Sequence, residues 1–449
     1  MKDNAKISFV SLGCDKNLID SEIMLGLIDS EGYVITNDDS EADIIIINSC
    51  GFIMEANQEA IDKVLEVADY KTTGKCRGII VTGCMAQRYK DQIFESLPEV
   101  DAVVGTGDFE NIGKVIKELL NGGRKVQLVT DKNHVLNDEN SYRRIVTTTG
   151  GFAYMKIAEG CDNHCTYCTI PSLRGKYRSR TMESLVKEAQ ILADQGVREL
   201  ILIAQDTSMY GIDIYGEKVL YKLLRKISEI EDIHWIRLLY CYPENITDEL
   251  IDEIAKNPKV LHYIDMPIQH SEDRILKLMG RKSTKNELTA IINKMRDKIP
   301  DMCIRTTLIT GFPSETEEEF KAQCDFIDET GFDRLGVFTY SPEEGTPAAK
   351  MDNQIDEAVK ISRKNYLMEL QKNVSADIGS EFIGKTLEVI VEGKIEDEDN
   401  LYCGRSYRDC YEIDGFVFFR SDDELLAGDF YNVKITQAGD YDLIGEIEK

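Results

Sequence analysis

The sequence predicts an α/β protein with an N-terminal parallel α/β sheet domain, a central partial (β/α)6 barrel and a small C-terminal all-β barrel. Two stretches of the 449-residue chain alternate short apolar runs with helical patterns, which is typical of parallel sheets. After about residue 378 the helical period gives way to strand-like segments bounded by Gly and Asp turns. We therefore expect domains at 1–135, 151–377 and 378–449, with a linker at 136–150.

Apolar runs predict the strands of the N-terminal domain. They are ISFVSLG before Cys14, ADIIIINS before Cys50, GIIVTG before Cys84 and AVVGTG near Asp108. The polar stretch that ends at Arg144 has no clear period, so we interpret it as a linker.

Further strand candidates alternate with helical patterns in the central region. They lie at 153–158, 199–206, 234–240, 262–269, 302–311 and 335–341. Six β/α units predict a partial barrel rather than the closed barrel of eight. The functional edge of such a sheet lies at the C-terminal ends of its strands.

Charge favours a basic partner over a nucleic acid. The chain has a formal net charge of −28, whereas nucleic-acid binders normally present a basic face to phosphates. The region from Gly379 to Lys449, which contains the strand-like segments KTLEVIVEG, GFVFFR and FYNVKITQA, has 18 acidic and 7 basic residues. A module with a net charge of −11 would repel a phosphate backbone.

Composition also bears on location and on cysteine chemistry. No stretch approaches the roughly 20 apolar residues of a membrane span, and the start lacks the apolar run of a secretory signal, so we expect a cytoplasmic protein without a membrane partner. Thiols are kept reduced in that compartment, so the 12 cysteines indicate metal binding or catalysis rather than disulfides.

The segment KIAEGCDNHCTYCTIP places Cys161, Cys165 and Cys168 directly after a predicted barrel strand. Thiolates spaced in this way can bind three corners of a [4Fe–4S] cluster and leave the fourth iron open. The open iron can chelate S-adenosylmethionine and pass it an electron, which produces a 5′-deoxyadenosyl radical. The motif therefore predicts a radical S-adenosylmethionine (radical SAM) enzyme.

Two other interpretations of this loop remain open. A zinc knuckle usually needs four ligands in paired spacing, and no second pair stands nearby, although His164 lies inside the loop. A ferredoxin-type electron carrier uses shorter spacings and a fourth cysteine followed by proline.

Cys14, Cys50 and Cys84 each fall at the C-terminal end of a predicted strand of the first sheet. Neighbouring strands lie about 4.8 Å apart, so these ends can bring three thiolates together and form a second three-cysteine cluster. The alternative is that they are buried, inert thiols. We interpret the remaining cysteines as packing residues, namely Cys76, Cys241, Cys303, Cys324, Cys403 and Cys410.

Over essentially its whole length the chain resembles the methylthiotransferase family of radical SAM enzymes, which carry a C-terminal TRAM domain. The motifs SLGCDKNLIDSE (11–22), CGFIMEA (50–56), AYMKIAEGCDNHCTYCTIP (153–171), LIAQDTSMYG (202–211) and MPIQHSEDRILKLMGR (266–281) are similar to the RimO branch, which modifies ribosomal protein S twelve. The tRNA-modifying MiaB branch usually has Gly-Cys-Gln-Met-Asn where this chain has GCDKN. The resemblance and the acidic charge thus favour a protein substrate.

The resemblance implies that the enzyme adds a methylthio group to the β-carbon of an aspartate in ribosomal protein S twelve. It implies two [4Fe–4S] clusters, S-adenosylmethionine and a low-potential electron donor. The cluster at Cys161, Cys165 and Cys168 would generate the radical, and the cluster at Cys14, Cys50 and Cys84 would present the sulfur. An unactivated C–H bond needs a radical because no side-chain base can deprotonate it. Nucleic acid is not expected as a direct substrate.

Other candidate cofactor contacts lie at strand ends. Tyr167 can pack on the adenine or shield the cluster, and Gln205, Asp206, Gln269 and His270 can bind ribose, methionine or substrate, or cap loops.

Polar residues near the motifs have similar alternatives. Ser314 in GFPSET is interpreted as a helix N-cap. Arg174, Arg178 and Arg180 can hold a carboxylate or pair with acidic side chains of the protein.

Two rival functions follow from the same residues. One is a tRNA adenosine methylthiotransferase with the same fold and cofactors. The other is a non-enzymatic iron–sulfur redox protein, which would undergo reversible reduction without cleaving S-adenosylmethionine.

Overall fold

The structure is a computed structural model that describes residues 5–396 and 398–448. The N-terminal, central and C-terminal regions fold into a parallel sheet, an open parallel barrel and a closed, mainly antiparallel barrel, as the sequence predicts. Within the described residues, no helix combines the length and the apolar character that crossing a bilayer requires.

The N-terminal domain is a parallel sheet with the strand order β2-β1-β3-β4-β5-β6. Its strands are β1 Lys6–Ser11, β2 Val34–Thr36, β3 Ile44–Ser49, β4 Gly78–Gly83, β5 Ala102–Val104 and β6 Val126–Leu128. Its helices are α1 Asp15–Glu31, α2 Met54–Ala68, α3 Tyr70–Thr73, α4 Cys84–Tyr89, α5 Asp91–Ser96 and α6 Ile112–Leu120. Every residue of β3 and β4 is buried because helices cover both faces of the sheet.

The apolar runs of the sequence correspond to β1, β3, β4 and β5, which confirms those four predictions. The sequence does not predict β2 or β6. Each is a three-residue strand at an edge of the sheet and is partly exposed, so it lacks the continuous apolar run that reveals the equally short but fully buried β5.

The central region is an open parallel sheet with the order β14-β13-β12-β11-β10-β7. Its strands are β7 Phe152–Lys156, β10 Glu199–Ile203, β11 Trp235–Leu238, β12 Val260–Asp265, β13 Cys303–Thr310 and β14 Arg334–Thr339, and a separate short pair is formed by β8 Ala158–Glu159 and β9 Arg178–Ser179. The helices that follow α7 Asp138–Ser141 are α8 Ile170–Arg174, α9 Met182–Asp194, α10 Ile212–Tyr215, α11 Leu220–Ser228, α12 Asp248–Lys256, α13 Asp273–Leu278, α14 Lys285–Lys298, α15 Glu317–Thr330 and α16 Glu357–Ser380. The predicted partial barrel is confirmed, with β7 and β14 at its open edges.

The prediction that Ser314 caps the helix after GFPSET is wrong. Thr316 is the N-cap of α15: its side chain accepts the Glu319 N–H, and the Glu319 carboxylate accepts the Thr316 N–H. Ser314 instead adopts a left-handed backbone with φ 68° two residues earlier. The reciprocal pair satisfies two otherwise unpaired helix donors, which a lone serine does not.

The C-terminal region closes into a barrel with the order β15-β16-β17-β19-β18. Its strands are β15 Thr386–Lys394, β16 Leu401–Ser406, β17 Val417–Arg420, β18 Phe430–Ala438 and β19 Leu443–Ile447. It joins the central barrel through Glu199, the first residue of β10, which pairs with Arg237 and Arg405 at 2.7 Å each. The C-terminal barrel therefore packs at the N-terminal ends of the central strands, opposite their functional edge.

The segment predicted as a linker is tightly held in the structure. It contains α7 and Arg144, whose guanidinium lies 3.1 Å from Glu22 of α1 and 3.3 Å from Glu188 of α9. These three side chains are at most 3% exposed. A buried triad of charges thus connects the N-terminal domain, the linker segment and the central barrel. The domain boundaries expected from the sequence stay predictions.

Replacing Arg144 with alanine should destabilise the protein strongly. The change leaves the buried Glu22 carboxylate without its cation, whereas Glu188 keeps its pairing with Arg180. Removing one partner of a buried ion pair costs about 3–5 kcal/mol. Urea unfolding followed by circular dichroism measures the loss. Arg143→Ala, at the exposed neighbouring position, is the matched control and should leave the transition unchanged. Coincident transitions for the two variants would contradict this role of Arg144.

Candidate active site

Three adjacent strands place Cys14, Cys50 and Cys84 at one edge of the N-terminal sheet. The register pairs Ser11 with Asn48 and Ser49 with Gly83, so β1, β3 and β4 end level with one another. The first trio, which we define as these three cysteines, follows those strand ends directly.

Close backbone contacts join the three loops of the first trio. Gly13 has φ +106°, and a Cβ at this position would lie 3.0 Å from the Cβ of Cys50. A Cβ at Gly51 would lie 2.6 Å from the carbonyl carbon of Cys84. Both positions require glycine because any side chain would force the cysteine loops apart.

Burial controls the ionisation of the first trio. Cys14 is exposed, Cys50 half-buried and Cys84 buried. Burial raises the pKa of Cys50, and it raises the pKa of Cys84 to about 11, although the nearby Arg174 charge opposes the shift. A thiol in this setting is held as a thiolate when a metal supplies the compensating positive charge.

The second trio, Cys161, Cys165 and Cys168, lies in the loop between β8 and α8. The Asn163 N–H points at Cys161 Sγ over 3.4 Å, and the Ile170 N–H points at Cys168 Sγ over 3.5 Å. Such N–H donors stabilise cluster thiolates. Burial raises the pKa of Cys161 to about 11 and that of Cys168 to about 12, so these thiols also need a metal to ionise near neutral pH.

The spacing of the cysteines differs from that of a site for a single ion. Among the described residues, no three His, Cys, Asp or Glu side chains are arranged to hold one metal ion. In a [4Fe–4S] cluster each cysteine binds a different iron, so its thiols stand further apart.

Arg281 and Tyr242 lie beside the second trio and are not among the site residues predicted from the sequence. The Tyr242 hydroxyl is 3.8 Å from Cys165 Sγ, and the Arg281 guanidinium lies 4.1 Å from the centre of the Tyr242 ring. Arg281 is buried, and its Nε and Nη1 have no hydrogen-bond partner. Unpaired buried donors at this position fit a negatively charged group, such as a thiolate-ligated cluster. The Gly-Arg pair that ends MPIQHSEDRILKLMGR was the available signal.

Arg174 connects the two trios. It ends α8, six residues after Cys168, and its Nη1 lies 2.9 Å from both Asp20 of α1 and Glu159 of β8. Its Nη2 donates to Asn17 Oδ1, which lies 3.8 Å from Cys84 Sγ. One buried guanidinium thus spans the distance between the loop of the second trio and the side chains of the first.

Further contacts stabilise the junction, by which we mean the contact region around Arg174 between the N-terminal domain and the central barrel. Lys156 Nζ lies 2.5 Å from Asp20 and 2.6 Å from Glu159, and Gln205 Nε2 donates to Glu159 over 2.7 Å. Although burial favours the protonated acid, the charges of Arg174 and Lys156 hold the pKa of Glu159 below its usual range. Glu159 is therefore a carboxylate that holds Arg174 and Lys156, and both of these cations pair with Asp20 of the N-terminal domain.

The predicted cofactor contacts occupy different surroundings. Gln205 belongs to the junction, and its Oε1 has no partner. Tyr167 packs against an apolar cluster of Ile275, Met279, Phe312, Tyr340 and Ala348. Gln269 has a left-handed backbone with φ 73° and pairs through its main chain with Thr307 and Ile309. Their roles in cofactor binding stay predictions.

Asp206 and His270 are tied into the protein itself. Asp206 accepts hydrogen bonds from Asn163, Ser208 and Asn245 at 2.7–3.1 Å, and burial raises its pKa. His270 is fully buried, and its Nδ1 accepts the Glu272 N–H. Both contacts are of the loop-capping kind that the sequence analysis left as an alternative to cofactor binding.

Arg178 and Arg180 flank the same loop. Arg178 donates to the main-chain carbonyls of Lys132, Arg174 and Lys176, and Arg180 pairs with Glu188.

Comparisons with known proteins define the class. Family models match residues 6–105 (Uncharacterized protein family UPF0004), 155–327 (Radical SAM superfamily) and 383–447 (TRAM domain). The chain is similar to a solved structure of the radical S-adenosylmethionine methyltransferase TsrM from Kitasatospora setae with cobalamin and a [4Fe–4S] cluster bound. The TM-score is 0.56 and the sequence identity 13%, and the match covers 89% of this chain and 77% of that one. The chain is thus a radical SAM enzyme, a class that uses S-adenosylmethionine and a [4Fe–4S] cluster.

Curated relatives define the family. A protein of Lachnoclostridium phytofermentans named ribosomal protein uS12 methylthiotransferase RimO is 52% identical, covering 99% of this chain and 100% of that protein. The protein of the same name from Clostridioides difficile is 50% identical, covering 98% of each. The chain therefore belongs to the RimO family of radical SAM methylthiotransferases, as the sequence motifs predict.

Removing the carboxylate of Asp206 should weaken cluster binding. In Asp206→Ala the Asn163 side chain loses its acceptor, so the loop that carries the second trio is less firmly held. We expect the reconstituted variant to lose iron several-fold faster than the unmodified protein on exposure to a chelator. Absorbance of the iron–sulfur chromophore over time measures the rate. The exposed Asp232→Ala is the control, and equal rates for the two variants would refute this role of Asp206.

Proposed function

We propose that this enzyme replaces one hydrogen on the β-carbon of an aspartate in ribosomal protein uS12 with a methylthio group. The full-length relatives carry that substrate in their names. The observation that carries the proposal is the junction at Arg174, which places both trios at the boundary between the N-terminal domain and the central barrel. A reaction that combines radical formation with sulfur transfer needs two such groups close to one substrate.

Each trio has a separate task in this proposal. Cys161, Cys165 and Cys168 hold the radical SAM cluster, and Cys14, Cys50 and Cys84 hold a second [4Fe–4S] cluster that presents sulfur. When bound, the radical SAM cluster of the second trio and S-adenosylmethionine supply the radical that can abstract hydrogen from an unactivated C–H bond. The protein's own groups orient the clusters: N–H donors point at Cys161 and Cys168, and glycines allow the first trio to converge.

The acidic surface of the C-terminal barrel supports a basic protein partner. Two neighbouring loops expose carboxylates, and Asn400 Nδ2 joins the loops by donating to Asp422 over 3.3 Å. The exposed acids are Glu396, Glu398, Asp399, Asp422, Asp423 and Glu424. This surface attracts a basic protein and repels a nucleic acid. Because the barrel packs opposite the cysteines, the contact would lie away from the modified aspartate. A low-potential electron donor and a cytoplasmic location complete the proposal.

Anaerobic turnover tests the function. Reconstituted enzyme with S-adenosylmethionine, dithionite and hydrosulfide should convert uS12 into a product whose mass shows one methylthio group in place of one hydrogen. Tandem mass spectrometry should place the group on an aspartate. The control uses Cys161→Ala with the same reagents and should give no product. Modification of tRNA with none of uS12 would refute the proposal in favour of a tRNA methylthiotransferase.

Cysteine substitutions separate the two clusters. Cys14→Ala should lose about half of the iron and still cleave S-adenosylmethionine to 5′-deoxyadenosine, without methylthio product. Cys161→Ala should lose the other half of the iron and should not cleave S-adenosylmethionine. Iron analysis and chromatography of the nucleoside measure these outcomes.

The half-buried Cys403→Ala, in the C-terminal barrel, is the matched control and should retain all of the iron. If Cys14→Ala kept its full iron content, the first trio would not bind a cluster.

A further inference from the structure

A small cavity lies between the N-terminal domain, the segment after β6 and the strands β8 and β9 of the central region. Its volume is about 120 Å³. Its mouth includes Val135, which is 72% exposed, and its wall includes Lys156, Glu159, Arg174, Arg178 and Arg180. Pockets for molecules the size of a cofactor measure roughly 300 Å³ or more, so this cavity admits only a small ion and a few waters.

Most of the cations on the wall are already neutralised. Lys156 and Arg174 share Asp20 and Glu159, and Arg180 pairs with Glu188.

Arg178 differs from these cations, as does Lys132, whose Nζ donates to the Ser172 carbonyl oxygen over 3.0 Å. Arg178 donates to the carbonyl oxygens of Arg174 at 3.1 Å, of Lys132 at 3.2 Å and of Lys176, and these acceptors carry no net charge. Asp131, Glu159 and Asp162 act on it only through longer-range electrostatic attraction. The charge of Arg178 is therefore only partly compensated.

The wall also offers unused hydrogen-bond donors. The Nε atoms of Arg178 and Arg180 are buried and have no partner, and the Arg180 side chain is only 9% exposed. Burial lowers the pKa of Arg178, as expected for a cation that lacks a close anion. An anion in the cavity would balance the charge of Arg178.

The position of the cavity indicates which anion it would hold. Arg174 lines the wall and donates to Asn17, whose Oδ1 lies 3.8 Å from Cys84 Sγ. The cavity is thus separated from the first trio by two side chains. Each methylthio group contains a sulfur atom that has to reach this trio.

We propose that the cavity binds a small sulfur anion of the hydrosulfide type, with Arg178 as its charge partner, close to the first trio. The inference rests on the proposed function, because a sulfur-transferring enzyme consumes such an ion. Hydrosulfide has a single heavy atom and one negative charge, so it fits both the volume and the unbalanced charge. S-adenosylmethionine exceeds the volume.

Steady-state kinetics with limiting sodium hydrosulfide test the role of Arg178. In Arg178→Met the half-saturating hydrosulfide concentration should rise roughly tenfold, because a charge-assisted contact is lost. Arg178→Lys keeps the charge and should restore most of the affinity. The exposed Arg225→Met is the matched control. Iron content and thermal unfolding of each variant show whether it is folded.

A crystallographic measurement tests binding without turnover. Anaerobic crystals soaked in sodium hydroselenide should show an anomalous selenium peak in the cavity beside Arg178, and crystals of Arg178→Met should lack it. Absence of the peak in the unmodified protein would overturn the inference. If Arg178→Met raised the KM for uS12 instead of the KM for hydrosulfide, the inference would also be overturned, since the cavity would then hold a substrate carboxylate.

The two proposals fail in different ways. If the unmodified enzyme makes no methylthio product, the proposed function fails, and the selenium peak still tests the cavity. If the product forms but Arg178→Met keeps the normal hydrosulfide dependence, only the inference about the cavity fails.

Discussion

The structure depends on one buried cation between two domains. Arg174 is 2% exposed and is held by Asp20 and Glu159, one carboxylate from each side of the junction. A buried charge is tolerated only when it is paired and hydrogen-bonded, so the two domains stabilise each other's charges. Helix α1 provides this interface and therefore buries Asn17, Asp20 and Glu22, polar residues that a solvent-facing helix would expose. The relative position of the two trios follows from this pairing.

The fold was predictable where the burial of a whole strand requires a continuous run of apolar residues. Strands such as β3 and β4, buried at every position, appear as unbroken apolar runs. The edge strands β2 and β6 were not predictable because they are short and partly exposed, so no continuous apolar run marks them. The linker segment looked structureless because its order comes from a distant contact, the pairing of Arg144 with Glu22 and Glu188, which no local pattern reveals.

The candidate site was predictable to the level of its cysteines. Their spacing and their positions after strands predict both trios, and the structure brings the loops of the first trio into contact, while their binding of clusters stays a prediction. The partners of the cysteines were not predictable, because Arg174 and Arg281 owe their roles to tertiary neighbours that are remote in sequence. For the same reason, the sequence could not decide whether Asp206 binds a ligand or anchors the Asn163 loop.

The central claim is that both trios hold clusters and that these clusters lie close together at the Arg174 junction. Electron paramagnetic resonance of the anaerobically reconstituted, dithionite-reduced protein tests it most directly, since two nearby paramagnetic clusters broaden and split each other's signals. The account predicts an interaction spectrum in the unmodified protein that simplifies to a single isolated cluster when either trio loses a cysteine. A spectrum that is the plain sum of two non-interacting clusters, or that contains only one cluster, would contradict it.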